Sequence, residues 1–158
     1  MLTGSMLHFA YGEDLAHAEF KRGCAGADWF GPAKLEDHRL VFDNEGRPNV
    51  RPEAGAVVWG ALWLVPASSL AALDAAAVAG YERTTRRIVS PAGPRTEATI
   101  YLSVNEFTGP PASGLAERLL AGAKENRLPA AYLQELRAWV KTVKPERTKA
   151  KKTDEDSR

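Results

Sequence analysis

One cysteine, two methionines and three histidines in 158 residues leave this chain poor in the groups that build disulfide scaffolds, metal centres and redox pairs. Cys24 has no second cysteine to bridge to and no Cys or His at ligand spacing beside it, so the expectation is a reducing, cytoplasmic setting and no metal. No apolar run approaches the roughly 20 residues of a membrane helix. The opening Met1-Leu-Thr-Gly-Ser-Met6 carries neither a basic nor an apolar stretch, so neither export nor membrane anchoring is expected. An excess of one charge is also missing, the formal net charge being +1. The basic run Lys149-Ala-Lys-Lys152 lacks interleaved aromatics and is followed by Asp154-Glu-Asp156. Residues 144–158 therefore read as a disordered charged tail, and nucleic acid is not an expected partner.

What is present suits one globular domain over residues 1–143, with 44% hydrophobic residues to fill a core. Met6 to Tyr11 reads as a strand, and Asp14 to Arg22 as a short helix ending at Gly23. Trp29 to Phe42 is extended on either side of Pro32. Asp43-Asn-Glu-Gly-Arg-Pro-Asn-Val-Arg-Pro52 has the composition of a surface connection about ten residues long, a length that could rim a site. Gly55 to Val65 is apolar on both faces, as a central strand is. Pro66 to Ala77 reads as a helix with Ser68 or Ser69 as its N-cap. Thr84 to Ser90 and Thr96 to Val104 flank the turn signal Pro91-Ala-Gly-Pro94 and form a hairpin. Ser113 should cap a helix from Leu115 that ends at Asn126 or Arg127, and Pro129 should open another carrying Tyr132, Leu133, Leu136, Trp139 and Val140.

The stretch with most chemical content is Leu7-His8-Phe9-Ala10-Tyr11-Gly12-Glu13-Asp14-Leu15. A strand that breaks at Gly and opens a helix aims unpaired backbone N–H groups at one point, which suits a carboxylate or phosphate. Glu13 and Asp14 work against such an anion, although they suit the helix dipole and can equally cap the first turn. Tyr11 and Tyr101 sit on apolar segments; buried phenols need partners, and both could point into a cavity. His8, His17 and His38 read as structural or surface histidines, Cys24 as inert, Glu125 as support for a helix end, and Trp59 and Trp63 as core.

Phe9-Ala-Tyr-Gly12, the Leu73-Asp74 helix before a strand pair, the Pro110-Pro111 pair, and above all Gly122-Ala-Lys-Glu-Asn-Arg-Leu-Pro129 followed by Tyr132 resemble the gamma-glutamylcyclotransferase family over roughly residues 6 to 140. The resemblance implies an α+β fold: a small, mainly antiparallel β-barrel flanked by helices, with a cavity at one end. It also implies a small-molecule ligand and no cofactor. In the family a Tyr-Gly-Ser-Asn-Leu loop holds a gamma-glutamyl group. A glutamate moves protons while the substrate's own amine attacks the gamma-carbonyl, releasing 5-oxoproline; orientation, a base and oxyanion donors are what such a reaction needs.

This chain departs from that pattern where the chemistry lies. The family glutamate position falls on Ala77, or on Ala79 if the gap is shifted, and Glu82 is the nearest carboxylate downstream. Ser-Asn of the loop is Glu13-Asp14 here. A helix tyrosine frequent in the family is Leu115. The expected ligand contacts are therefore Tyr11, Gly12, Glu13, Asp14, Leu15 and Tyr101, with Glu82 as the candidate base. The expected ligand is amino-acid-like or amine-bearing, with 5-oxoproline release weak or absent. Loss of catalysis altogether, or a genuine cyclotransferase with a relocated carboxylate, are the alternatives.

Overall fold

In the computed structural model the described residues are 4–76 and 79–142, so Ala77 and the tail 144–158 lie outside them. Five strands close a barrel in the order β1 (Ser5–Ala10), β3 (Pro48–Pro66), β2 (Asp28–Phe42), β4 (Tyr81–Val89), β5 (Arg95–Ser103). Four of the joins are antiparallel; the barrel closes through a parallel contact between β1 and β5 at His8 and Thr99. The helices are α1 (His17–Gly23), α2 (Leu70–Ala76), α3 (Leu115–Glu125) and α4 (130–142). The architecture is the α+β barrel that the family resemblance implied.

Pairing explains why β3 is apolar on both faces. Its second half lies between β1 and β2, with Leu62 opposite Phe9 and Gly31, and Val58, Ala61, Leu62, Trp63 and Val65 are all essentially inaccessible. Both faces meet protein, so neither needs polar residues. Gly60 is required by close approach, since a Cβ there would stand 2.3 Å from the Ala10 carbonyl oxygen. Among the described residues no helix is long and apolar enough to cross a membrane.

Three local expectations are corrected. The ten-residue connection after Phe42 is instead a tight turn, with β3 already paired at Pro48 opposite Phe42 and Pro52 opposite His38. Asp43 closes that turn: its carboxylate accepts from the backbone N–H of Glu45 (2.9 Å) and Arg47 (3.0 Å), and Gly46 takes a left-handed φ of 82°. The first helix is not continuous. Glu13–Leu15 form a 3-10 turn, Ala16 is extended, and α1 begins at His17. Helix α3 takes Gly114 as its N-cap, in the left-handed region at φ 79°, rather than Ser113.

Candidate functional site

The end of β1 and the 3-10 turn after it form one wall of a cavity of about 270 Å³. The other walls come from α1 (Glu19, Phe20, Gly23), the β2–β3 turn (Arg47, Pro48), Leu73 of α2, Tyr81 at the start of β4 and Tyr101 near the end of β5. The bend at Gly12 is tightly packed, since a Cβ there would stand 3.0 Å from the Pro48 side chain. Of the ligand contacts expected from sequence, Tyr11, Gly12, Glu13, Asp14 and Tyr101 line the cavity. Leu15 does not: it is buried in the core, and its carbonyl oxygen accepts from the Asn126 amide at 2.7 Å. Glu82 lies elsewhere, exposed on β4 in an adjoining depression with Asp74, Arg83 and Tyr101.

Asn126 anchors the loop from behind. It is fully buried, donates from Nδ2 to Leu15 O and Gly122 O, and accepts at Oδ1 from Trp29 Nε1 and His17 Nε2, each at 2.9 Å. Glu125 supports the start of α1 rather than the end of its own helix, accepting from the His17 backbone N–H at 3.1 Å. Asn126 and Glu125 of the Gly122-to-Pro129 segment thus support the cavity loop from behind.

The cavity carboxylates differ in their partners. Glu13 pairs with Arg118 at 3.0 Å and Glu19 with Arg22 at 3.1 Å, both at the surface. Asp14 is part of no ion pair among the described residues; it accepts the Gly12 backbone N–H at 3.3 Å. Burial pushes its carboxyl up to about 6, and the charge of Glu13 adds to the rise, against the pull of the Gly12 and Asp14 N–H groups.

The three cavity phenols all donate inward to the protein. Tyr11 Oη donates to the Tyr101 carbonyl (2.7 Å), Tyr101 Oη to Asp74 (2.6 Å), and Tyr81 Oη to the Pro48 carbonyl. Burial raises all three phenols above their ordinary range. With their one proton committed, they can only accept from a ligand. The cationic exception is Arg47, held by Asp43 at 3.2 Å and by the Ala79 carbonyl at 2.6 Å, with its guanidinium 5.2 Å from the Tyr81 ring centre. Arg47, Tyr81, Glu19, Phe20 and His8 were not marked as ligand contacts by the sequence. The Asp43-x-x-x-Arg47 spacing around Gly46 was the available signal for the first. Among the described residues no group of three or more His, Cys, Asp and Glu could hold a metal ion.

A model of the AIG2-like family matches residues 57–136. The human protein named gamma-glutamylcyclotransferase is 29% identical over 147 residues, 85% of this chain and 78% of that protein. A solved structure titled gamma-glutamyl cyclotransferase superposes with a TM-score of 0.78 at 29% identity, covering 85% of this chain and 88% of that one. YkqA from Bacillus subtilis shares the fold, with a TM-score of 0.70 at 21% identity, covering 85% of this chain and 54% of that protein.

Proposed function

Because the chain belongs to the AIG2-like, gamma-glutamylcyclotransferase family, we propose that it binds, and can act on, a small amino-acid-like ligand carrying an ammonium group, in place of standard 5-oxoproline release. The observation that carries this reading is Asp14, a carboxylate without an ion-pair partner among the described residues, in the cavity wall where the family loop has a neutral amide. Apart from Arg47, the polar side chains that share its cavity accept. Three phenols have spent their protons on the protein, and Glu13 and Glu19 add negative charge. A ligand ammonium supplies the donors such a wall lacks, and the Tyr101 ring on the same cavity suits a cation. Arg47 offers a bidentate partner for a ligand carboxylate on the same cavity. A reducing, cytoplasmic setting is part of the proposal, in keeping with the single cysteine.

Asp14 also supports a second reading, a genuine cyclotransferase with a relocated base. A carboxyl at about 6 is ionised at neutral pH and basic enough to take a proton as an amine attacks. Two assays on wild type and Asp14→Asn separate the readings. Calorimetric binding of 5-aminopentanoate that falls at least tenfold in Asp14→Asn, with no 5-oxoproline released from gamma-glutamyl dipeptides, is the expected result. Release by the wild type that Asp14→Asn abolishes establishes the second reading. No binding and no release leaves a catalytically inactive interaction protein.

A further inference from the structure

His8, on β1, lies on the same cavity wall, 1% exposed, and stacks on the Phe20 ring at 5.4 Å. Its Nδ1 is 2.8 Å from Thr99 Oγ1, and that hydroxyl also reaches the Leu7 carbonyl at 3.4 Å. A hydroxyl has one proton. In the tautomer in which Thr99 donates to Leu7, Oγ1 accepts from His8 Nδ1–H and Nε2 carries the ring's lone pair. Nε2 has no hydrogen-bond partner among the described residues. It also differs from Trp63 Nε1 and Tyr132 Oη, which are unpartnered but fully enclosed; the small accessible part of His8 belongs to the cavity. Burial first, then the charge of Arg83, lowers the ring to about 4, so it stays neutral and remains an acceptor at physiological pH.

We infer that His8 is a specificity-determining residue whose Nε2 accepts an N–H from the ligand's ammonium group, so that the cavity selects primary ammonium over quaternary ammonium. This rests on the amine reading of the cavity and adds to it. Asp14 and the Tyr101 ring attract either kind of cation through charge and ring face. An unprotonated imidazole nitrogen distinguishes them, because a trimethylammonium has no N–H to give. A buried acceptor left without a donor is penalised, and a hydrogen bond from a charged donor is worth roughly tenfold or more in affinity.

The test is calorimetric titration, near pH 7.5, of 5-aminopentanoate and its N,N,N-trimethyl derivative into wild type, His8→Phe and Thr99→Val. The phenylalanine keeps an aromatic ring against Phe20. The valine leaves the imidazole in place and removes the group that fixes its tautomer. Wild type should prefer the primary amine by about tenfold or more, with the preference largely lost in His8→Phe and reduced in Thr99→Val. If wild type binds both probes alike, or the preference survives in a folded variant at either position, His8 is purely structural and the inference falls while the amine reading stands. If wild type binds neither probe, both fall. Should His8→Phe not fold, Thr99→Val alone decides.

Discussion

The side-chain amide of Asn126 donates to the carbonyl of Leu15 at 2.7 Å, across 111 residues of sequence, and so ties the end of α3 to the loop that forms the cavity wall. The same side chain makes three further hydrogen bonds with Gly122, Trp29 and His17. Asn126→Ala should cost about 3 kcal/mol in chemical denaturation, since several buried partners lose their bonds at roughly 1–3 kcal/mol each. Ligand affinity should fall in the protein that still folds, because Leu15 follows Asp14 directly. A loss below about 0.5 kcal/mol would show that water replaces the amide at little cost.

Gly122→Ala tests the same contact sterically. A Cβ at 122 would stand 2.7 Å from Leu15 Cβ and 3.1 Å from the Ala16 nitrogen. Alanine gains up to about 1 kcal/mol of helix propensity over glycine, whereas overpacking against a core costs about 1–3 kcal/mol. The steric term wins because Leu15 is buried and part of the neighbour is backbone. The expected outcome is a lowered melting temperature and weakened binding; a raised melting temperature would mean that α3 can slide away from the loop.

Arg47→Ala should separate the two ends of the ligand. Asp43, whose carboxylate is 0% exposed, keeps its bonds from the Glu45 and Arg47 backbone and from Ser103, so the stability loss should be about 1–2 kcal/mol. Affinity for 5-aminopentanoate should drop about tenfold, while n-pentylamine, lacking the carboxylate, binds as it does to wild type. Equal losses for both probes would show that Arg47 only shapes the turn.

Asp14 and His8 should oppose each other in the pH dependence of stability. The folded carboxyl of Asp14 titrates near 6 against 3.8 in the unfolded chain, so the native state holds the extra proton and stability falls as pH rises from about 4 to 6. For His8 the folded ring titrates near 4 against 6.5, so the unfolded state holds the extra proton and stability falls as pH drops through that window. Asp14→Asn should therefore be more stable than wild type above pH 6 and lose that advantage by pH 4. His8→Phe should be less acid-sensitive than wild type. Denaturation curves at pH 4, 5, 6 and 7.5 check both signs.

The cavity loop shows how far one sequence reaches. Tyr11, Gly12, Glu13 and Asp14 were legible because a strand, a glycine and two acids are neighbours in the chain. Leu15 was assigned to the ligand with them, but it faces the core, since a 3-10 turn rotates consecutive side chains by about a third of a circle and only some can face the cavity. The segment after Phe42 misled by composition: glycine, asparagine and two prolines look like a long loop, yet Asp43 gathers enough backbone donors to turn the chain in a few residues, and strand pairing resumes at Pro48. Glu82 was close in sequence to the position sought and yet lies outside the cavity, on an exposed part of β4.

By itself the sequence determined the order of strands and helices and most of the core, because alternation and helical spacing are local patterns and burial follows from them within each element; the closed barrel was implied by the family resemblance, carried by the motifs from Phe9 to Pro129. The barrel-closing contact of His8 with Thr99, the commitment of three phenolic protons to distant acceptors, and the arrival of Arg47 beside Tyr81 were decided only by tertiary structure. Each joins groups far apart in the chain. A hydrogen bond or a charge acts over a few ångströms of space, and no local pattern records which distant residues the closed barrel will bring within that range.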